Sequence, residues 1–369
     1  MIKFSFSIVL CSLFFIGCAQ DHGPKIQDEL GPKYIYETVV DGIDIPWGMT
    51  FITDTELLVT EKSGILYHVI DGVKTELSGL PEIYVRGQGG LLDVTTAPDF
   101  ETSRVIFFTA SSSDGEAAGG HTALYSAELD GTSLANLKQL YKGEGNTKKG
   151  QHWGSRISFD AEGHLYFSIG DRGNREVNPQ DITRDGGKVY RLNQDGSIPT
   201  DNPFYYEKGS KQAIYSYGHR NPQGMLTHPE TGAIWVHEHG PRGGDEINEL
   251  IAGRNYGWPY FSLGLEYSGG HVERHKPKNV EFDVESIEQT LVDITPSPAI
   301  SSFAFYNGDQ FPKWKDNMLL GSLKGSSLFR LVFDGKKLVH RETLFKDLAR
   351  IRDVEIGYDG FVYLLLENK

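Results

Sequence analysis

Cysteine is nearly absent from this chain of 369 residues: Cys11 and Cys18 are the only two. With none beyond position 18, the body of the protein has no disulfide and no thiolate metal site. Positive charge is also in short supply. Thirty-six Lys and Arg against fifty Asp and Glu give a formal net charge of −14, which argues against a nucleic-acid partner because phosphate neutralisation needs clustered cations. A run long enough to span a membrane is missing too. FSFSIVLCSLFFIG, after Lys3, falls short of the roughly 20 apolar residues a span needs and has the form of an export signal. Beyond residue 33 no long segment shows helical periodicity; INELIAG (247–253) could hold a turn or two.

The apolar leader ends in FFIGC. A small residue before Cys18 has the form of a bacterial lipobox, which would make residues 1–17 a cleaved signal and Cys18 a lipid anchor to the membrane. An ordinary signal peptide or an N-terminal anchor helix is the alternative. Residues 18–33, polar with Gly and Pro, would then be a tether, and 34–369 a single domain. The expected location is the bacterial cell envelope, facing the periplasm or the cell exterior.

Short runs rich in Val, Ile, Phe and Tyr fill the rest: ELLVT, ILYHVI, VIFFTA, LYFSIG, VYRL, AIWVHE, LFRLVF and FVYLLL. Turn residues bound them, which is the signature of strands. SGILYHVIDG, TALYSAELDG, EGHLYFSIGDRG, GGKVYRLNQDG, TGAIWVHEHG, SSLFRLVFDG and DGFVYLLLEN share one outline. Each has a small residue, an apolar-aromatic strand and usually an Asp-Gly hairpin turn. Repeated short antiparallel sheets favour an all-β propeller over a sandwich or β-helix. Pairing YIYETVV (34–40) with FVYLLL (361–366) would close its ring.

Several loops carry more functional side chains than folding requires. VRGQGGLLDV brings Arg86 and Gln88. GQHWGSRISFD brings His152, and SIGDRGNR then brings Asp171 and Arg172 at the far end of the intervening strand. A carboxylate beside a histidine fixes its tautomer and raises its basicity, the arrangement of a general base; a capping or surface histidine is the alternative. YSYGHRNPQGM offers His219, Arg220 and Asn221, a fork of donors and an amide suited to an anionic or carbonyl-rich ligand. WVHEHGPRGGDEINELIAGRNYGWP supplies exposed carbonyls with Glu238, Asp245, Glu246 and Glu249, donors suited to Ca²⁺ although EF-hand spacing is absent. Zinc is disfavoured despite His237 and His239, for want of a third imidazole or thiolate. Arg350 and Arg352 are two apart, so on a strand they point the same way. Converging with Lys324 and Arg220, they would form a positive pocket against the global sign, selective for a compact polyanion.

GHRNPQG, HGPRGGDEIN followed by NYGWP, and the order of His152, SIGD, SLK and RIRDV together resemble the quinoprotein glucose/sorbosone dehydrogenases, aldose sugar dehydrogenases included, from about residue 45 to the C-terminus. The resemblance implies a six-bladed β-propeller of four-stranded antiparallel blades, holding pyrroloquinoline quinone (PQQ) and Ca²⁺ near the axis. It implies His152 as the base, Asp171 as the acid that orients it, and Arg220 as stabiliser of the developing oxyanion. Gln88, Arg220, Asn221, Lys324, Arg350 and Arg352 would hold PQQ, and the carbonyls of Gly240 and Pro241 its Ca²⁺. Glu246, Tyr256 and Glu266 would hold a second, structural Ca²⁺. The implied reaction is oxidation of an aldose sugar at the anomeric carbon to a lactone. With no C-x-x-C-H haem site, electrons would leave to an external acceptor. Trp153 after His152, and short segments between motifs, depart from the best-known glucose enzymes; they leave the sugar open and favour a broad aldose range. A lipid-anchored propeller that binds a glycan or protein without catalysis, or a Ca²⁺-dependent lactonase, would be the alternatives.

Overall fold

The computed structural model describes residues 29–30, 34–272 and 286–367. The signal at 1–17 and Cys18 lie outside the described residues.

Five blades follow one another in chain order, each an antiparallel sheet of four consecutive strands. The first holds β2 (Pro46–Phe51), β3 (Glu56–Glu61), β4 (Ile65–Ile70) and β5 (Val73–Glu76), after β1 (Glu29–Leu30), whose two residues pair in parallel with the edge of the fifth blade. The second blade holds β6 (Leu91–Thr96), β7 (Val105–Ser112), β8 (His121–Asp130) and β9 (Ser133–Lys142). The third holds β10 (Ile157–Phe159), β11 (Leu165–Ile169), β12 (Lys188–Leu192) and β13 (Ile214–Tyr217). The fourth holds β14 (Pro222–Thr227), β15 (Ile234–Glu238), β16 (Glu246–Glu249) and β17 (Val292–Asp293). The fifth holds β18 (Ile300–Phe305), β19 (Met318–Ser322), β20 (Leu328–Asp334) and β21 (Lys337–Phe345). A sixth sheet, β22 (Arg350–Ile356) with β23 (Val362–Glu367), has two strands. The all-β propeller is as expected; six four-stranded blades are not, because the last sheet stops at a hairpin.

The expected ring closure is also corrected. Residues 34–40 form no strand, so they make no ladder with β23. Their aromatic side chains instead pack on the outside of the fifth blade: the Tyr34 ring lies 5.1 Å from that of Trp314, and Tyr36 lies 5.9 Å from Phe345. The ring closes through first strands that touch in the circular order β2, β6, β10, β14, β18, β22 and back to β2. Arg156 links them at the axis. It donates to Asp93 (2.9 Å) and the Gln223 carbonyl (2.9 Å), pairs with Asp353 (3.0 Å) and stacks over Trp47 (4.4 Å), so it touches four sheets at once.

Inner strands are packed on both faces and are buried almost throughout, whereas the fourth strands β5 and β9 carry the exposed positions. Phe108 and Phe167 are fully buried, each contributing roughly 2–3 kcal/mol by leaving water. Blade-to-blade contact is apolar: Phe107 of the second blade packs with Ile157 and Phe167 of the third.

The repeated outline has a structural cause. SGILYHVIDG, TALYSAELDG, GGKVYRLNQDG and SSLFRLVFDG are third strands leading out towards the fourth, while the other three echoes are second strands. Mixing the two positions made the spacing irregular. Asp71 and Gly72 both have positive φ (50° and 76°), the conformation of a two-residue hairpin turn. INELIAG is not helical: β16 takes its first part and a turn the rest.

Candidate active site

Successive strands in a blade are antiparallel, so the start of each first strand and the end of each second strand meet at one rim. Gln88 precedes β6, His152 precedes β10, and Asp171 follows β11. Arg220 and Asn221 precede β14, Gly240 and Pro241 follow β15, Lys324 follows β19, and Arg350 opens β22. Cross-blade bonds confirm that the rim is shared. The His152 N–H donates to Gln88 Oε1 (2.7 Å), and the Gly154 N–H to Asn221 Oδ1 (3.2 Å).

His152 Nδ1 lies 2.6 Å from Asp171 Oδ1. A carboxylate can only accept, so Nδ1 carries the proton and Nε2 keeps its lone pair. Nε2 has no partner among the described residues, and the side chain is 15% exposed. Burial pulls the His152 pKa below its ordinary value, with Arg220 and Arg172 acting in the same direction and Asp171 opposing them. The result is a neutral imidazole at neutral pH. Burial alone would raise the Asp171 pKa, but His152 and Arg220, with the Trp258 indole, hold it below its ordinary value. Asp171 Oδ2 accepts from Trp258 Nε1 at 2.8 Å, and Oδ1 also accepts from the Gly173 N–H at 2.7 Å.

His152 has φ +56°, a conformation that costs a non-glycine residue of order 1 kcal/mol and points to a functional constraint. Gly170 makes room for it: a Cβ there would lie 2.5 Å from the His152 carbonyl oxygen.

Arg220 is joined to this pair through the backbone, its carbonyl accepting from the Asp171 N–H at 2.8 Å. Its guanidinium lies 5.3 Å from the Trp258 ring and donates to the His239 carbonyl at 3.0 Å, while the buried Nε has no partner. Among the described residues, nothing donates to the Gly240 or Pro241 carbonyl. The other carboxylates of that loop are engaged. Glu238 binds His219 and the N–H groups of Arg220 and Asn221, Asp245 binds the N–H groups of Gly240 and Ile300, and Glu249 pairs with Lys336.

Lys324 is exposed and has no partner among the described residues. Its loop is tied to the start of β18, since the Leu323 N–H donates to the Ala299 carbonyl at 2.7 Å. Arg350 and Arg352 point the same way, as expected, but both bind Glu367 (3.0 and 2.6 Å), and burial pulls the Arg352 pKa down. The residues named for a second metal have separate partners. Glu246 accepts from Thr290, the Tyr256 hydroxyl donates to the Glu249 carbonyl (2.6 Å), and Glu266 pairs with Arg175 (2.6 Å). Burial, then the neighbouring Glu238, push the Glu246 pKa up to about 8.

Sequence reasoning gave Trp258 no role of its own, and it missed the reach of Glu238 under Arg220. Trp258 lies in a quoted motif, but its partner is 87 residues away; no local spacing could pair them. Glu367 was findable, because the β22–β23 hairpin register sets it opposite Arg350.

The profile of the glucose/sorbosone dehydrogenase family matches residues 43–369. The chain belongs to that family. It is 38% identical over 337 residues to the aldose sugar dehydrogenase YliI of Escherichia coli K12, covering 90% of each chain. The apo-form crystal structure of the soluble aldose sugar dehydrogenase from E. coli superposes with a TM-score of 0.83 at 37% identity, over 90% of this chain and 96% of that one. The PQQ-bound aldose sugar dehydrogenase of Streptomyces coelicolor gives a TM-score of 0.72 at 25% identity, over 91% and 92%. As a member of the glucose/sorbosone dehydrogenases, the protein is an oxidoreductase of the sugar dehydrogenase class.

Proposed function

We propose that this sugar dehydrogenase oxidises aldoses at the anomeric carbon to lactones with PQQ and Ca²⁺, passing the electrons to an external acceptor. The observation that carries the reading is a neutral His152 whose Nδ1 is braced by Asp171 and whose Nε2 faces an open rim beside Arg220.

The rim fits the cofactor. Arg220 has an unpaired Nε, Lys324 has no competing carboxylate, and Arg350 and Arg352 together exceed the single charge of Glu367. These cations suit a tri-acid, with Gln88 and Asn221 as hydrogen-bonding neighbours. The free carbonyls of Gly240 and Pro241 suit a hard cation such as Ca²⁺. When bound, PQQ would supply an electrophilic quinone as the hydride acceptor, and Ca²⁺ a Lewis acid beside it. His152 Nε2 takes the proton of the anomeric hydroxyl. Asp171 stabilises the imidazolium so formed, and Arg220 steadies the developing negative charge on oxygen. For the second Ca²⁺ at Glu246, Tyr256 and Glu266, the support is Glu246, a half-buried carboxyl beside Glu238. Export and anchoring through Cys18 belong to the same proposal and rest on the FFIGC sequence; loss of membrane attachment in Cys18→Ser is the expected outcome.

Reconstitution tests the reading. Metal-free apoprotein given PQQ and Ca²⁺ should reduce a dye with several aldoses. No spectral change on adding PQQ, together with no reduction by any aldose, overturns it.

A further inference from the structure

Arg172 is one of the largest fully buried side chains of the protein. A buried guanidinium ordinarily pairs with a carboxylate, yet among the described residues Arg172 has no ion pair. Its neighbour Asp171 is already committed to His152, Trp258 and the Gly173 N–H. The guanidinium instead lies flat on the Trp153 ring, 3.3 Å from its centroid. Arg172 donates to the Gln151 carbonyl through Nη1, and through Nη2 to the carbonyls of Lys149 (3.1 Å) and Gly120 (3.4 Å).

These contacts complete a pattern along the loop that carries the base. The Gly150 carbonyl accepts from the Gln88 N–H (2.7 Å) and Trp153 Nε1 (3.1 Å), and the His152 carbonyl accepts from the Arg172 N–H (3.3 Å). Four consecutive carbonyls, 149 to 152, are therefore all bound, three of them by Arg172. These bonds surround a non-glycine residue, His152, at φ +56°. The indole has been given space for the stack, since a Cβ at Gly89 would lie 2.4 Å from the Trp153 ring.

We infer that Arg172 is a positioning residue for His152: its carboxylate-free guanidinium, stacked on Trp153, clamps the carbonyls of residues 149 and 151 and thereby aims the imidazole at Asp171 and the open rim. The inference rests on the sugar dehydrogenase reading for its effect on rate, but its structural part stands without it. Lysine cannot replace the fork, because a point ammonium reaches one or two carbonyls and does not stack as a plane.

The test uses Arg172→Met and Arg172→Lys in the full mature protein, with two readouts. In the apoprotein, proton NMR follows the downfield His152 Nδ1 proton shared with Asp171, assigned by its loss in His152→Gln. The wild type should show it, Arg172→Met should lose or broaden it, and Arg172→Lys should keep a weakened signal. In the PQQ- and Ca²⁺-loaded protein, kcat should fall on the order of a hundredfold in Arg172→Met, the scale of an ångström of misplacement, and about tenfold in Arg172→Lys, with KM within about threefold of wild type. Should Arg172→Met fail to fold, Arg172→Lys carries the test alone. A folded Arg172→Met or Arg172→Lys with the wild-type Nδ1 signal and wild-type kcat overturns the inference. If His152→Gln were fully active in the same assay, the base assignment would fall, while the apoprotein signal would still decide the role of Arg172.

Discussion

Two histidine–carboxylate pairs sit on the same rim and differ most at one atom, the Nε2 of the imidazole. His152 Nδ1 meets Asp171 at 2.6 Å, and His219 Nδ1 meets Glu238 at 2.9 Å. The Nε2 of His219 is taken by the Ser216 hydroxyl at 2.8 Å, its ring stacks on Tyr256 at 4.5 Å, and its side chain has no exposure. The Nε2 of His152 is open. The spare oxygen of Glu238 holds the backbone N–H groups of Arg220 and Asn221, whereas that of Asp171 is held by the Trp258 indole. A histidine beside a carboxylate is thus no signature of a base. The second nitrogen decides: closed, the pair shapes a turn; open, it can move a proton.

Four measurements test this difference between the pairs. The largest effect is expected from His152→Gln, which removes the lone pair. Its kcat should fall roughly a thousandfold with PQQ affinity unchanged in an absorbance titration. Asp171→Asn should follow at about a hundredfold, because the amide can donate and lets the imidazole choose the wrong tautomer; single-turnover reduction of the bound cofactor measures it. The third test is pH. A base whose folded pKa is lowered stays deprotonated further into acid, so kcat should hold as pH falls through 6.5. Below that it should drop about tenfold per unit once the imidazole charges. A loss of rate beginning above that value would contradict the burial argument. The smallest catalytic effect belongs to His219→Asn. It should cost roughly 1–3 kcal/mol of stability, read as a lower melting temperature, and leave kcat within about threefold. Equal losses of rate in His152→Gln and His219→Asn would erase the distinction between the pairs.

The sequence announced the strands because each carries its signature locally: ELLVT and ILYHVI are β-rich runs set off by turn residues, and they became β3 and β4. YIYETVV carries the same local signature and forms no strand. Propensity cannot show whether a ladder partner exists, and its aromatic rings found the fifth blade's flank instead. His152 and Asp171 were readable together because a single hairpin separates them. Arg350 and Arg352 were read as free cations because charge was counted without the strand register that brings Glu367 across. Trp258 and Arg156 act on residues distant in the chain, and only the closed ring makes them neighbours. Glu238 looked like a metal ligand because composition records that a carboxylate is present but not what already binds it.

The two-stranded sixth sheet has a mechanical consequence. Among the described residues no two blades share a ladder, and the boundary between β22 and β2 is no exception. Side chains bridge that boundary: Asp353 holds the Met49 N–H at 2.8 Å, and Arg156 grips Asp353 while stacking on Trp47. A belt fastened by a buckle is only as firm as its pin, so loss of Arg156 should loosen the ring at this boundary.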